Sequence, residues 1–205
     1  RVVPDAKHIP EIGHREMQEL ADHGAKVLNA QAVEWAQRAG IVIHAKKTQG
    51  SARHTVVQAD AERPRERGRA TAVTGTAQVV DLYSQQGSAL MPLLGQQGVM
   101  LRHLAIDGER LEATLTLEDL PDFARTESAL RACDPGLRLR DDHGMVTVVG
   151  PGLGSDPQGV VRALSALRAA GHRPDRVTTS PLRLSVWLPC AQVDPATRLL
   201  HALLC

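Results

Sequence analysis

The stretch Val99-Met-Leu-Arg-His-Leu-Ala-Ile-Asp-Gly-Glu-Arg-Leu-Glu-Ala-Thr-Leu-Thr-Leu117 predicts how the second half of this 205-residue chain folds. Asp107-Gly108 stands between two runs that favour β-strands. An Asp-Gly pair in that setting is a strong signal for a β-hairpin, because both residues tolerate the positive φ angles of a tight turn. We therefore predict antiparallel strands from Val99 to Ile106 and from Arg110 to Leu117, with the turn at Asp107-Gly108.

The hairpin belongs to a pattern of elements that occurs twice, at a spacing of about 70 residues. The first repeat has a strand, a helix, the hairpin and a second helix, with the single elements at Ala77 to Tyr83, Ser88 to Gln97 and Asp119 to Cys133. The second repeat has the same order, at Met145 to Gly150, Asp156 to Ala170, Arg176 to Ser180, Leu182 to Leu188 and Asp194 to Leu204. Asp119 and Asp194 are expected to be helix N-caps.

Each repeat reads β-α-β-β-α, which is a ferredoxin-like unit that needs one further strand to complete its sheet. The first repeat has a candidate in Leu137 to Arg140, followed by a turn at Asp141-Asp142. For the second repeat we expect the strand to come from Ala70 to Gly75, which precedes the first repeat. That exchange would interleave the two repeats.

The residues before the repeats predict a smaller set of elements. Apolar residues recur at helical spacing from Met17 to Leu28, which predicts a helix that begins after Gly13 and is interrupted near Gly24. A second short helix is expected to end at Gly40. Strands are then predicted at Ile41 to Ile43 and at His54 to Val57.

Residues 59–69 contain no large apolar side chain and include Pro64 and Gly68, as expected of a solvated linker between domains. The sequence thus predicts an N-terminal segment at 1–58, a linker at 59–69, a first unit at 70–141 and a second unit at 142–205.

Composition excludes several classes of partner. The 24 basic and 23 acidic residues give a net charge of +1, so no bulk field attracts nucleic acid or an anionic membrane. Aromatic residues make up 2% of the chain, so the stacking platforms of single-strand binders are missing. The three widely spaced cysteines suggest neither a disulfide framework nor a zinc site. We expect reduced thiols, a cytoplasmic location and no metal.

A glycine-rich stretch, Val149-Gly-Pro-Gly-Leu-Gly-Ser-Asp-Pro157, follows a predicted strand and precedes a predicted helix. It invites a dinucleotide-binding interpretation, but Ser155 stands where the third glycine of that motif belongs. A turn in which Ser155 or Asp156 caps the helix is favoured, and such a turn suits a small carboxylate ligand. A nucleotide-dependent oxidoreductase would require a parallel sheet, which the hairpin contradicts. The sequence offers no catalytic residue of its own.

Three groups of residues give the chain a resemblance to the C-terminal part of aspartokinases. The first comprises Ile9-Pro-Glu-Ile12, Glu16-Met17, Glu19-Leu-Ala21, Gly24-Ala-Lys-Val-Leu28, Ala32-Val-Glu34 and Thr55-Val-Val57, and is similar to the end of the amino-acid-kinase domain. The other two, Val146-Thr-Val-Val-Gly150 and Thr178-Thr-Ser-Pro-Leu-Arg-Leu-Ser-Val186, are similar to the second regulatory ACT unit of that family. The resemblance implies an α+β chain: a C-terminal fragment of an amino-acid-kinase α/β domain followed by two interleaved ferredoxin-like ACT units.

The resemblance also implies an activity for a parent protein. Aspartokinases transfer phosphate from ATP, with Mg, to L-aspartate in the first step of lysine, threonine and methionine biosynthesis. Arg1 and Lys26 match nucleotide-site residues of the family. The Lys-Phe-Gly-Gly-Thr-Ser motif of the family is not found in this chain, so we expect the chain alone to be inactive and to bind neither ATP nor Mg.

ACT units in this family bind an amino acid, commonly lysine or threonine, and assemble as homodimers through their sheets. The positions matched for that role are Asp81, Gly87 and Ser88 in the first unit and Gly159, Val160, Thr179 and Ser180 in the second. The first unit departs from the family's loop, which implies that feedback is lost, altered or confined to the second unit. An alternative is a degenerate ACT protein that serves only for assembly or senses another amino acid.

Overall fold

The structure is a computed structural model, and it describes residues 2–48, 53–59, 69–120 and 122–205. Its contacts divide the chain into a discontinuous unit, Arg1–Gly75 with Val146–Cys205, and a continuous unit, Thr76–Met145. The discontinuous unit holds the N-terminal segment and most of the second repeat. The continuous unit holds most of the first repeat. Most of the predicted linker, residues 60–68, and the predicted site residue Arg1 lie outside the described residues.

The N-terminal segment has a small sheet and two helices. Strand β1 (Glu11–Gly13) pairs in parallel with β3 (His54–Gln58), and β2 (Ile43–Lys46) pairs with β3 in antiparallel fashion. Helix α1 (His14–Asp22) begins after Gly13, and α2 (Ala30–Arg38) begins after Asn29, whose side chain accepts a hydrogen bond from the Ala32 N–H. The helix that begins after Gly13 and the second helix that ends before Gly40 are both present. Helix α1 ends at Asp22, however, so residues 25–28, which were expected to continue it beyond Gly24, are not helical.

Two details of this segment were not predicted correctly. The strand expected at Ile41 to Ile43 begins at Ile43, because Ile41 still closes helix α2 by donating its N–H to the Ala36 carbonyl. Strand β1 was not predicted, because three residues show no alternation and the strand is defined only by its pairing with distant β3.

The second repeat is built from α5 (Pro157–Ala169), β8 (Arg176–Ser180), β9 (Arg183–Pro189) and α6 (Val193–Leu204). Strands β8 and β9 pair in antiparallel fashion, and β9 lies beside β7 (Arg138–Val149). Both helices pack on one face of these strands around a buried core that includes Val148, Leu167, Val186 and Leu200.

Residues 70–75 also contact this core. Ala70 is buried in it, and its N–H donates to the Leu204 carbonyl at 2.9 Å. The Thr71 N–H donates to the Val149 carbonyl at 2.7 Å, just before strand β4 (Ala72–Ser84) begins. The domain boundaries and the exchange of a strand proposed from the sequence stay predictions.

In the continuous unit, β5 (Leu101–Asp107) pairs with β6 (Arg110–Thr116), and β6 pairs with β4, both in antiparallel fashion. Helices α3 (Gly87–Gln96) and α4 (Phe123–Cys133) contribute Leu90, Leu94 and Leu130 to a core with Leu82 and Leu115. The hairpin is present, and Asp107 pairs with Arg110. Its turn residues are therefore Gly108, with φ of 58°, and Glu109, so the predicted turn was one residue too early.

Strand β7 contradicts the predicted turn at Asp141-Asp142. The sequence suggested two strands separated by a turn at Asp141-Asp142, but β7 runs without a break from Arg138 to Val149. The buried His143 ring is hydrogen-bonded to the Arg140 guanidinium at 2.6 Å and to the Asp142 carboxylate at 2.5 Å. These bonds stabilise charged side chains along an extended strand, whereas the sequence pattern suggested a solvated turn.

The prediction that Asp119 and Asp194 are helix N-caps was also wrong. Asp119 lies in a 3₁₀ turn and accepts from the Thr116 hydroxyl, while Asp122 caps α4. Asp194 is in the first turn of α6, where an acidic side chain interacts favourably with the positive end of the helix dipole. The predicted class, α+β with antiparallel β-α-β-β-α repeats, is confirmed.

Candidate functional site

The glycine-rich turn of the second repeat, Gly150–Gly154, is held against the connection between β8 and β9. The Gly150 N–H donates to the Leu182 carbonyl and the Gly152 N–H to the Pro181 carbonyl, each at 2.9 Å. A Cβ added at Gly154 would overlap the Ser180 carbonyl oxygen, so only glycine permits this approach of two backbones. The turn and residues 180–182 thus pack directly on one another, backbone against backbone.

Of the predicted effector residues, the structure brings Ser180 to this turn. Thr179 is exposed on β8, which lies at the end of the strand order, and the buried hydroxyl oxygen of neighbouring Thr178 has no hydrogen-bond partner among the described residues. Gly159 lies inside α5 against the Asp156 carboxylate, which caps the helix by accepting from the Gln158 N–H at 3.1 Å. Val160 is partly buried against the core of the repeat.

The corresponding residues of the first repeat lie in a different environment. Asp81 is buried within β4 and accepts a hydrogen bond from the Thr114 hydroxyl across the sheet. Gly87 and Ser88 begin α3, where the Gly87 N–H donates to the Glu109 carbonyl at 2.8 Å. Asp81 therefore belongs to the sheet, and Gly87 and Ser88 belong to the start of the helix.

Glu109, which the sequence analysis missed, closes the start of α3. Its carboxylate accepts from the Ser88 hydroxyl at 2.7 Å and from the Ser88 N–H at 3.2 Å, and these bonds lower its pKa below the usual value. Beside it, the Ser84 hydroxyl donates to the buried Asp134 carboxylate at 2.5 Å. The signal that could have revealed Glu109 is its place in the hairpin turn, since the carboxylate then reaches the helix start.

Lys26 lies exposed in the turn after Gly24. The two residues that follow it, Val27 and Leu28, line a cleft of about 800 Å³. The other lining residues are mostly basic, namely His8, Lys46, Lys47, Arg53, His44 and His54 with Ala6, Ala45 and Thr55. Lysine and arginine side chains are suited to phosphate oxygens. The sequence predicted a role for Lys26, which does not line the cleft itself, but for none of the basic residues that do.

A polar cluster joins α1 to β9 within the discontinuous unit. Arg183 Nη1 donates to His23 Nε2 at 2.8 Å and to Glu19 Oε2 at 3.4 Å. His23 is buried, and its Nδ1 lies 2.8 Å from the Glu19 carbonyl oxygen. Burial raises the pKa of the Glu19 carboxyl, the Arg183 guanidinium opposes that rise, and the nearby Asp22 adds to it.

The described residues also bear on metal binding, disulfide formation and membrane insertion. No group of three or more His, Cys, Asp or Glu side chains in the described ranges is arranged to hold a metal ion. Cys133, Cys190 and Cys205 are free thiols. Within the part of the chain that the structure covers, no helix is both long and apolar enough to cross a membrane.

Comparison with curated proteins finds aspartokinases along almost the whole chain. The aspartokinase of Thermus thermophilus is 29% identical over 223 residues, which cover 98% of this chain and 53% of that protein. The aspartokinase of Mycolicibacterium smegmatis is 30% identical over 219 residues, covering 98% and 52%. The chain therefore spans about half the length of the curated relatives it matches, and the matched part is their C-terminal half. No protein-family model matches the sequence.

Solved structures show the same fold. Escherichia coli aspartokinase III in complex with aspartate and ADP has a TM-score of 0.81 at 18% identity, over 98% of this chain and 48% of that one. The same enzyme in complex with lysine and aspartate has a TM-score of 0.75 at 20% identity, over 100% and 48%. The ligand-free regulatory subunit of Thermus thermophilus aspartate kinase has a TM-score of 0.55 at 20% identity, over 65% of this chain and 97% of that subunit.

Proposed function

We propose, on the premise that the chain is homologous along 98% of its length to the C-terminal half of aspartokinases, that it is the regulatory portion of such a kinase and binds an amino acid at its second repeat. The observation that carries the choice of repeat is the packing of Gly154 on the Ser180 carbonyl. It holds the backbone of two loops in one place, as recognition of a small polar ligand requires.

The first repeat is less suited to the same ligand. An amino acid presents a carboxylate, and the start of α3 already has the Glu109 carboxylate on Ser88 and the Asp134 carboxylate on Ser84. A ligand carboxylate would meet like charge there. At the second repeat, Ser180 follows Thr178 and Thr179 on β8 and its backbone packs on the glycine turn, and the buried Thr178 hydroxyl has no hydrogen-bond partner among the described residues. Escherichia coli aspartokinase III, which has been solved with lysine, makes lysine the first ligand to test, and threonine the second.

The parent protein would catalyse phosphoryl transfer from ATP to the side-chain carboxylate of L-aspartate, the first step toward lysine, threonine and methionine. Lys26 and the cations of the adjacent cleft, Lys46, Lys47 and Arg53, fit the phosphates of a nucleotide, because their ammonium and guanidinium groups would offset its negative charge. ATP and Mg would supply the phosphoryl group and its charge neutralisation when bound in the complete enzyme. This chain alone is expected not to phosphorylate aspartate, and a coupled ADP-release assay tests that expectation.

Isothermal titration calorimetry with lysine, threonine and methionine tests the ligand site. We expect saturable binding of one amino acid, weakened by Ser180→Ala because the Ser180 hydroxyl, which accepts from the Leu182 N–H at 3.4 Å, belongs to the connection on which the turn packs. Ser88→Ala is the matched control in the first repeat and is expected to leave the affinity unchanged. Binding that is lost in Ser88→Ala but kept in Ser180→Ala would contradict the assignment. No heat with any amino acid would favour the alternative of an ACT pair used only for assembly.

We also propose that the chain forms a homodimer through the sheets of its repeats. Strand β5 lies at an end of the strand order and exposes Leu104 and Ile106, which are 40% and 53% accessible. An exposed apolar edge strand is a template for pairing with another chain. In sedimentation velocity, the unsubstituted 205-residue chain is expected to be a dimer and the Ile106→Lys variant a monomer. A variant that remains a dimer would contradict this interface.

A further inference from the structure

The His23 ring has a defined hydrogen-bonding state because both of its neighbours have fixed roles. The Arg183 guanidinium can only donate, so His23 Nε2 accepts its hydrogen bond. The Glu19 carbonyl oxygen can only accept, so the proton of the neutral ring is on Nδ1. A second proton on Nε2 would point at the guanidinium. Glu19 on α1 and Arg183 on β9 are the charged groups that contact the ring, and Asp22 on α1 lies near Glu19.

Two other contacts hold α1 against the same part of the discontinuous unit. The buried Glu16 carboxylate accepts a hydrogen bond from the Thr71 hydroxyl. Val149, at the end of β7, is fully buried in a cluster that includes Met17 and Leu20 of α1. These contacts hold α1 in addition to Arg183, so removal of Arg183 can test a role other than packing.

Arg183 directly follows the residues to which the glycine turn is bonded. The Leu182 and Pro181 carbonyls accept from Gly150 and Gly152, and the Ser180 carbonyl contacts Gly154. A displacement of the turn would move this backbone, and with it the start of β9. The guanidinium would then change its distance from His23 and Glu19. The contacts form a continuous path from the turn to α1, through which a displacement of the turn can reach the helix.

We infer that Arg183 is a positioning residue that couples the Gly150–Gly154 turn to helix α1, with neutral His23 as the acceptor on the helix. The inference deepens the proposed regulatory function and rests on it, since the turn is the proposed amino-acid site. The coupling itself is a property of the free chain. It can therefore be measured without any ligand.

The experiment perturbs the turn by mutation and observes α1 by NMR. Gly152→Ala places a side chain at a φ of 75°, which strains the turn, and Ser180→Ala is a milder second perturbation should Gly152→Ala fold poorly. Amide shifts of Glu19 to His23 are compared in the otherwise unsubstituted chain and in a chain that carries Arg183→Met. We expect each turn variant to shift these amides in the unsubstituted chain and not in the chain with Arg183→Met. Equal shifts in both backgrounds would overturn the inference.

Two controls separate coupling from packing. Arg183→Lys keeps a cationic donor and is expected to retain part of the response, whereas His23→Leu removes the acceptor and is expected to abolish it. The nitrogen shifts of the His23 ring report its tautomer directly. They are expected to show Nδ1–H in the parent chain, and the Nε2–H form would overturn the inference.

An amino-acid titration of the same samples distinguishes failure of this inference from failure of the proposed function. If lysine or threonine shifts the turn amides in Arg183→Met but no longer shifts α1, both proposals hold. If no amino acid shifts the turn in any sample, the proposed function fails, while the ligand-free comparison still decides the role of Arg183.

Discussion

The two repeats share one order of elements but close the turn before their first helix in different ways. In the first repeat, side chains close it: Glu109 reaches back from the hairpin to Ser88, and Asp134 accepts from Ser84. In the second repeat, backbone closes it, because Gly150–Gly154 packs directly on residues 180–182. The difference shows that one fold can close this turn either with carboxylates of the chain itself or with backbone packing. Under the proposed function, the carboxylates of the first repeat stand where a ligand carboxylate would be needed, whereas the second repeat leaves that role to the ligand.

The largest expected effect comes from truncating buried apolar side chains in the two hydrophobic cores. Leu130 on α4 and Leu200 on α6 are both fully buried, one in each unit. Replacing either leucine with alanine is expected to lower the free energy of unfolding by about 2–5 kcal/mol, through lost burial and a residual cavity. Chemical denaturation measures the loss, and hydrogen exchange locates it. An equal loss of amide protection in both units from either substitution would contradict the separation of the cores.

A smaller effect is expected at the turn that distinguishes the second repeat. In Gly154→Ala the new methyl group overlaps the Ser180 carbonyl, so backbone must move, at a cost of about 1–3 kcal/mol. Gly95→Ala is the matched control, because no atom lies within 4 Å of its added Cβ. That control lies in helix α3 and is expected to stabilise the chain by up to about 1 kcal/mol. Thermal unfolding of both variants gives their melting temperatures. An unchanged melting temperature for Gly154→Ala would show that the close packing of Gly154 on Ser180 is wrong.

The smallest effect concerns the pKa of Glu109 in the first repeat. Ser88→Ala removes the hydroxyl that contributes most to lowering this pKa, so the pKa is expected to rise toward 4.5. A carboxyl with a lowered folded-state pKa contributes stability above its unfolded pKa and loses it as the pH falls through the folded value. The variant should therefore lose less stability on acidification below pH 4.5 than the parent chain.

NMR titration of the Glu109 carboxyl checks this prediction. Ser128→Ala is a suitable control, because the Ser128 hydroxyl donates to the Ala124 carbonyl within α4 and does not contact Glu109. A Glu109 pKa that is the same in Ser88→Ala and in the parent chain would show that the side chain does not close the start of α3.

The sequence predicted elements well where a local signal specifies them. Asp107-Gly108 predicted the hairpin, a break in helix was correctly expected near Gly24, and Gly40 correctly marked the end of α2. Of the two caps that the sequence left open, Ser155 and Asp156, the structure has Asp156. These residues act through their own backbone conformation or through a hydrogen bond to a near neighbour, so the pattern alone is informative.

Features that depend on distant partners could not be predicted in the same way. The unbroken strand β7 depends on how Arg140, Asp142 and His143 bond to one another once the strand is extended. The Arg183 to His23 contact joins residues 160 positions apart, and the Glu109 to Ser88 contact joins residues 21 apart. No local pattern marks such pairs. For the same reason the resemblance pointed to Gly87 and Ser88 but not to the carboxylate bonded to Ser88.

The central claim is that the second repeat, and not the first, carries the amino-acid site. Two-dimensional amide NMR of the isotope-labelled chain during titration with lysine, and separately with threonine, tests it most directly. Binding at the second repeat predicts saturable shifts at Gly150, Gly152, Gly154 and Ser180, with Gly87 and Ser88 unchanged. Shifts confined to Gly87 and Ser88 would contradict it.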